Sequence, residues 1–176
     1  WSTAAICSVQ FIPQVGPEEQ KHLQQVNGKF LWYARAVDRT LLTPLGTITS
    51  QQAKPTTKTM KRAQQFLDYV ATQEPTVLTY CKSDMILSIY SDSGYLSKPN
   101  EQSRTGGHHY LSKNVTSLPN NGAIHNVAEI IKAIMSSAAE AKLGALYINA
   151  RKADEICNIL REMGHPQPQC QYRWTI

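Results

Sequence analysis

Leu23, Val26, Phe30, Tyr33 and Val37 recur at spacings of three and four, which places them on one face of a helix of about 20 residues. Pro17 followed by Glu18 and Glu19 marks its start, because proline suits a first turn and acids suit the helix dipole there. Gly28 weakens this helix by ~1 kcal/mol relative to alanine without ending it. Leu41, Leu45 and Ile48 predict a short second helix. The polar stretch Gln51 to Thr57, which holds Pro55, is expected to link it to a third helix over Thr57 to Thr72, with Met60, Ala63, Leu67 and Val70 on one face. Residues 1–16 have no clear period and are expected to be irregular, with a short strand near Val9 to Ile12.

At Pro75 the period changes. Val77 to Cys81 and the nearly continuous apolar run Met85 to Ser91 predict two strands, the second one buried. Asp92-Ser93-Gly94 should end that strand, and the polar stretch Ser97 to Gly107 predicts a loop. His108 to Ser112 predicts a strand, Pro119-Asn120-Asn121-Gly122 a turn, and Ala123 to Ala133 a returning antiparallel strand. Ser137 is the expected N-cap of a helix whose inner face carries Ala139, Leu143, Leu146 and Ala150. Ile156, Ile159, Leu160 and Met163 continue the helical spacing after a break expected near Asn149, and Gly164 and Pro166 stop it. The expected organisation is a helical segment over 1–75 and a strand-bearing domain over 76–176.

Composition adds limits. The formal charge of +5 favours polyanionic partners such as nucleic acid. Cys7, Cys81, Cys157 and Cys170 lie far apart without a CxxC pair, which predicts free thiols and an intracellular setting, cytoplasmic or nuclear. No stretch approaches the ~20 apolar residues of a membrane span, and no signal-peptide pattern opens the chain. Asn114-Val115-Thr116 matches a glycosylation sequon by chance.

Three segments carry a family resemblance. GKFLWYARAVD (Gly28 to Asp38) is similar to the helix after the polymerase palm in copia-type reverse transcriptases. YSDSGYLS (Tyr90 to Ser97) followed by SRTGGHHYLS (Ser103 to Ser112) resembles the first strands of that family's RNase H domain. MSSAAEAKLGALYINA (Met135 to Ala150), ending in LREMGHPQP, resembles the helix bearing its second catalytic acid. The resemblance implies an α/β fold: an incomplete RNase H-like mixed sheet with a flanking helix, preceded by a small helical unit like a reverse-transcriptase thumb or connection.

The implied chemistry is hydrolysis of the RNA strand of an RNA–DNA hybrid, with two Mg²⁺ ions ~4 Å apart activating water and stabilising the leaving oxygen. Mg²⁺ takes hard oxygen ligands, so the family gathers carboxylates from a strand end, a helix and the next strand. Asp92 matches the first of them and would be the remaining metal ligand. Lys142 stands where the family has its second acid, and Glu140 is turned about 200° from it around the helix. A lysine beside Asp92 would form an ion pair where a metal should bind. The third acid, in an Asp-Asn that ends the next strand, is replaced by the tail Gln169 to Ile176. As a hypothesis, a frameshift just before this point explains the tail, because suitable codons for it encode Met-Pro-Ile-Gln-Met-Asp-Asn in another frame. Sequencing the gene tests this; no Asp-Asn in the alternative frame removes it.

Other constellations are weaker. His108 and His109 are adjacent on a strand, so they face opposite sides and do not share a metal. His125 and His165 have no recognisable partner, and Ser136-Ser137 fits helix capping better than nucleophilic catalysis. Lys54, Lys58, Lys61 and Arg62 form a basic cluster suited to phosphates or to a solvated helix face. The expectation is therefore a non-catalytic retroelement remnant, with weak nucleic-acid affinity at most and no cofactor beyond residual Mg²⁺. Two alternatives stand beside it: an active Mg²⁺-dependent module completed by a partner or longer chain, and a remnant reused to bind a protein at its truncated sheet edge.

Overall fold

A computed structural model describes residues 15–74, 76–98, 101–113, 121–168 and 171–174. The chain divides into two compact units, Trp1–Ala34 with Thr40–Pro75, and Arg35–Arg39 with Thr76–Ile176. No helix among the described residues is long and apolar enough to cross a membrane. The strand expected near Val9 and the sequon at Asn114 lie outside the described residues.

The first unit is helical. It holds α1 (Pro17–Ala36, whose last two residues belong to the second unit), a 3-10 turn ending at Leu41, α2 (Leu42–Thr49) and α3 (Thr57–Thr72). Leu23, Leu41, Leu45, Ile48, Ala63 and Phe66 are buried here, and Phe30 meets Phe66 edge-on with ring centroids 5.2 Å apart. α3 begins where expected because Thr56 and Thr59 form a capping box, each side chain bonding the other residue's backbone N–H. The buried stripe of α1 runs through Leu23, Asn27 and Ala34, so it is rotated from the apolar stripe read in the sequence. Asn27 is buried with its Nδ2 donating to Gln52 Oε1 at 3.0 Å, while its Oδ1 has no hydrogen-bond partner among the described residues.

The second unit is a mixed α/β layer. Strands β1 (Ile86–Lys98), β2 (Gln102–Ser112) and β3 (Ala123–Ile130) form an antiparallel sheet, α4 (Ala138–Glu162) crosses it, and β4 (Gln171–Trp174) returns parallel to β1. The strand order is β3-β2-β1-β4, so the tail does form a strand and occupies the free side of β1.

Six local expectations are corrected. β1 does not stop at Asp92-Ser93-Gly94 but runs on to Lys98, and the inner face of α4 carries Ala141, Ala145, Asn149 and Ala153 rather than Ala139, Leu143, Leu146 and Ala150. Val77 to Cys81 is not a strand: Val77 is 84% exposed, and Asn121 bonds the Cys81 N–H and C=O through its side-chain amide instead of a neighbouring strand. Ser97 to Gly107 is not a loop, because β1 and β2 continue through most of it as a long hairpin. Its polar residues mislead because Ser103 and Thr105 are themselves buried. β3 ends at Ile130 rather than Ala133. α4 is one unbroken helix through Asn149.

α4 ends as expected. Gly164 adopts φ +87°, His165 N–H donates to Leu160 O at 2.9 Å, and Gly164 N–H donates to Arg161 O at 3.0 Å. That pair of bonds is a Schellman cap, which glycine accommodates without strain. Small residues let the helix approach the sheet: Ala141, Ala145 and Ala153 are fully buried, and Ala153, Cys157 and Leu160 meet Leu87 and Ile89.

The helix is fixed in place by Asn149. Its Nδ2 donates to Ser91 Oγ at 2.8 Å and to Gly106 O at 3.0 Å. A Cβ on Gly107 would lie 1.9 Å from Asn149 Oδ1, so only glycine fits there. Gly107→Ala should destabilise the protein by roughly 1–3 kcal/mol, the usual cost of overpacking. Asn149→Ala should cost a similar ~1–3 kcal/mol by leaving buried partners unbonded. Urea unfolding of the double variant should show less loss than the sum of the singles, because the clash needs both groups.

Candidate functional site

Strand alternation decides which side chains of β1 face α4. Leu87 and Ile89 meet the helix, and Ser91 is bonded by Asn149. The odd-numbered residues therefore face α4, and Asp92 projects from the other side of the sheet. Asp92 is paired with Gly106 on β2 and its side chain is exposed. Among the described residues its carboxylate has no ion-pair partner.

Lys142 belongs to the sheet-facing stripe of α4, since it lies seven residues, two turns, before Asn149. It is half-buried. The helix runs antiparallel to β1: Asn149 sits at Ser91, and Tyr95 Oη donates to Ser136 O at 3.0 Å near the start of α4. Lys142 is thus ~10 Å along the axis from Asn149, at 1.5 Å per residue. Asp92 and Lys142 are not brought together as an ion pair.

Glu140 is committed to the helix start. Its Oε2 accepts from Ser136 N–H and Ser136 Oγ, each at 2.6 Å, while its own N–H donates to Ser137 Oγ at 3.1 Å. The Ser136 hydroxyl first, and then the Ser136 backbone N–H, hold this carboxyl below the usual glutamate range. Ser136-Ser137 is accordingly a capping pair.

These residues do not fit the Mg²⁺ pair that the resemblance implies. Two ions would need several oxygens converging on one point. Asp92 is on the face of β1 turned away from α4, Glu140 is held in its own cap, and the helix offers an ammonium at 142. Among the described residues there is no group of three or more histidine, cysteine or acidic side chains placed to hold a metal. Cys81 is exposed and Cys157 buried, and neither is in a disulfide among the described residues.

The histidines do separate as strand alternation requires. His108 bonds Asn126 Oδ1 and Asn121 O at 3.2 Å each. His109 points the other way, fully buried under α4, with Nε2 3.3 Å from Asn149 O. His125, for which the sequence offered no partner, meets His109 across the strand pair with ring centroids 5.4 Å apart. Desolvation pushes the His109 imidazole down to about 4, and desolvation with the nearby Lys152 and Arg35 also lowers His125.

The basic cluster is split by the geometry of α3. Lys54, Lys58, Lys61 and Arg62 are all exposed. Lys58 and Arg62 share one stripe, whereas Lys61 is turned about 100° from Arg62 and Lys54 precedes the helix. The Lys58–Arg62 stripe continues to Gln65 and Tyr69, which with Pro44, Ile48 and Phe66 line a groove of ≈ 420 Å³. The sequence held its signal, a 58-62-65-69 spacing, but the apolar stripe on the opposite side of α3 obscured it.

The buried imidazole sets a pH dependence. His109 binds a proton near 6.5 when unfolded and only near 4 when folded. The unfolded state therefore takes up more protons as pH falls between these values, and stability is full above 6.5 and declines toward 4. This one group should contribute a slope of about 1.4 kcal/mol per pH unit in that window. Denaturant unfolding from pH 7 to pH 4 should show it, and His109→Gln should remove that component. No protein-family profile, no curated protein and no solved structure matches this chain.

Proposed function

We propose that the chain is a retroelement remnant whose RNase H-like domain no longer hydrolyses nucleic acid and retains weak, salt-sensitive affinity for it. The observation that carries this reading is the dispersal of the acids. Asp92 faces away from α4, Glu140 caps that helix, and Lys142 takes the place of the family's second acid. Support for the fold assignment comes from the strand order β3-β2-β1-β4, with three antiparallel strands, a crossing helix and a parallel fourth strand. An RNase H-like sheet opens in this way. The residual affinity rests on the +5 charge and the exposed cations at 54, 58, 61 and 62.

Two measurements test the reading. Incubated with an RNA–DNA hybrid and Mg²⁺ or Mn²⁺, the purified chain should leave the RNA strand intact. Cleavage that Asp92→Asn abolishes would overturn the proposal. Hybrid binding followed by fluorescence anisotropy should weaken with salt, and each phosphate contact should add about −0.9 to the log–log slope. Changing Lys58, Lys61 and Arg62 together to Gln should flatten that slope by roughly two to three units. An unchanged slope would remove the α3 cluster from the interface.

A further inference from the structure

A groove lies between α2 and α3. Its floor is apolar, made by Ile48 and Phe66, which are also part of the core, and by Pro44 at the rim. Tyr69 borders it with 47% of its surface exposed. Arg62 is the one charged residue of the lining, and it has no ion-pair partner among the described residues. Lys58 stands one turn before Arg62 on the same stripe. α2 (LTPLGTIT) carries no charge at all. Asp68, the acid of α3, is turned about 100° from Tyr69 and accepts from Gln64 Nε2 at 2.8 Å on a different side.

We propose that this groove docks a short acidic, apolar peptide segment of a partner protein. Two or three apolar side chains would fill the space between Pro44, Ile48, Phe66 and Tyr69, and a carboxylate beside them would meet Arg62. Aromatic and arginine side chains grouped around a desolvated pocket are the composition of binding hot spots. Arginine suits the acid because its planar fork can hold a carboxylate with two bonds. A second copy of this chain is disfavoured as the occupant by its own +5 charge.

Fluorescence polarisation on the full chain tests this with three labelled probes. One is an amphipathic peptide of Leu, Phe and Glu, the second replaces each Glu by Lys, and the third is oligothymidylate. The acidic peptide should bind with a Kd on the order of tens of micromolar, as expected for a small groove. Arg62→Glu should weaken it at least about tenfold and strengthen binding of the Lys peptide. Tyr69→Ala should weaken both peptides. Both altered side chains are exposed, so far-UV circular dichroism of each variant should match that of the parent chain. The proposal is overturned by absence of saturable acidic-peptide binding into the millimolar range. It is equally overturned by acidic-peptide binding that neither variant moves, or by tighter oligothymidylate binding that both variants abolish.

Discussion

The strand-bearing unit turns on one buried amide. Asn149 sits in the middle of α4 with none of its surface exposed, and its Nδ2 reaches Ser91 on β1 and Gly106 on β2. Gly107 leaves the space its oxygen occupies. A buried donor left without a partner is costly, so the two Nδ2 contacts select one docking position for the helix, while Oδ1 has no hydrogen-bond partner among the described residues. That position then sets everything along the interface. Ala153, Cys157 and Leu160 meet Leu87 and Ile89, His109 is enclosed beneath Asn149 O, and Tyr95 reaches the helix start.

The same register has a chemical consequence. With Ser91 turned toward α4, the next residue must point the other way, and the next residue is Asp92. The acid that the family resemblance singles out is therefore separated from the helix expected to supply its companion. Lys142 on the helix and Glu140 in the cap complete the dispersal. A two-ion centre depends on convergence more than on the number of acids, because each Mg²⁺ demands near-octahedral oxygen geometry. Under the proposed reading, the expected lack of hydrolysis rests on placement as well as on the lysine itself.

Much of the architecture was legible because it follows from local rules. Pro17 and the two glutamates start α1, the Thr56–Thr59 box starts α3, Ser137 starts α4, and Gly164 ends it. The opposite orientation of His108 and His109 follows from period two alone. What escaped was everything decided by tertiary contact. Asn149 reads as a helix breaker and Gly106-Gly107 as loop, but Gly107 leaves the space that Asn149 fills and Gly106 O accepts its Nδ2 bond. Val77 to Cys81 has the composition of a strand but, among the described residues, no strand beside it to bond. In the candidate site, the residue types at 92, 140 and 142 were evident. Their failure to converge was not, because it depends on which face of β1 the helix covers.

Placing an acid at position 142 tests the central claim most directly. Lys142→Glu should leave the chain without a saturable Mn²⁺ site when titrated calorimetrically, because Asp92 would still face away across the sheet. Appearance of a submillimolar Mn²⁺ site in that variant, lost again on Asp92→Asn, would contradict the placement of the acids and the account built on it.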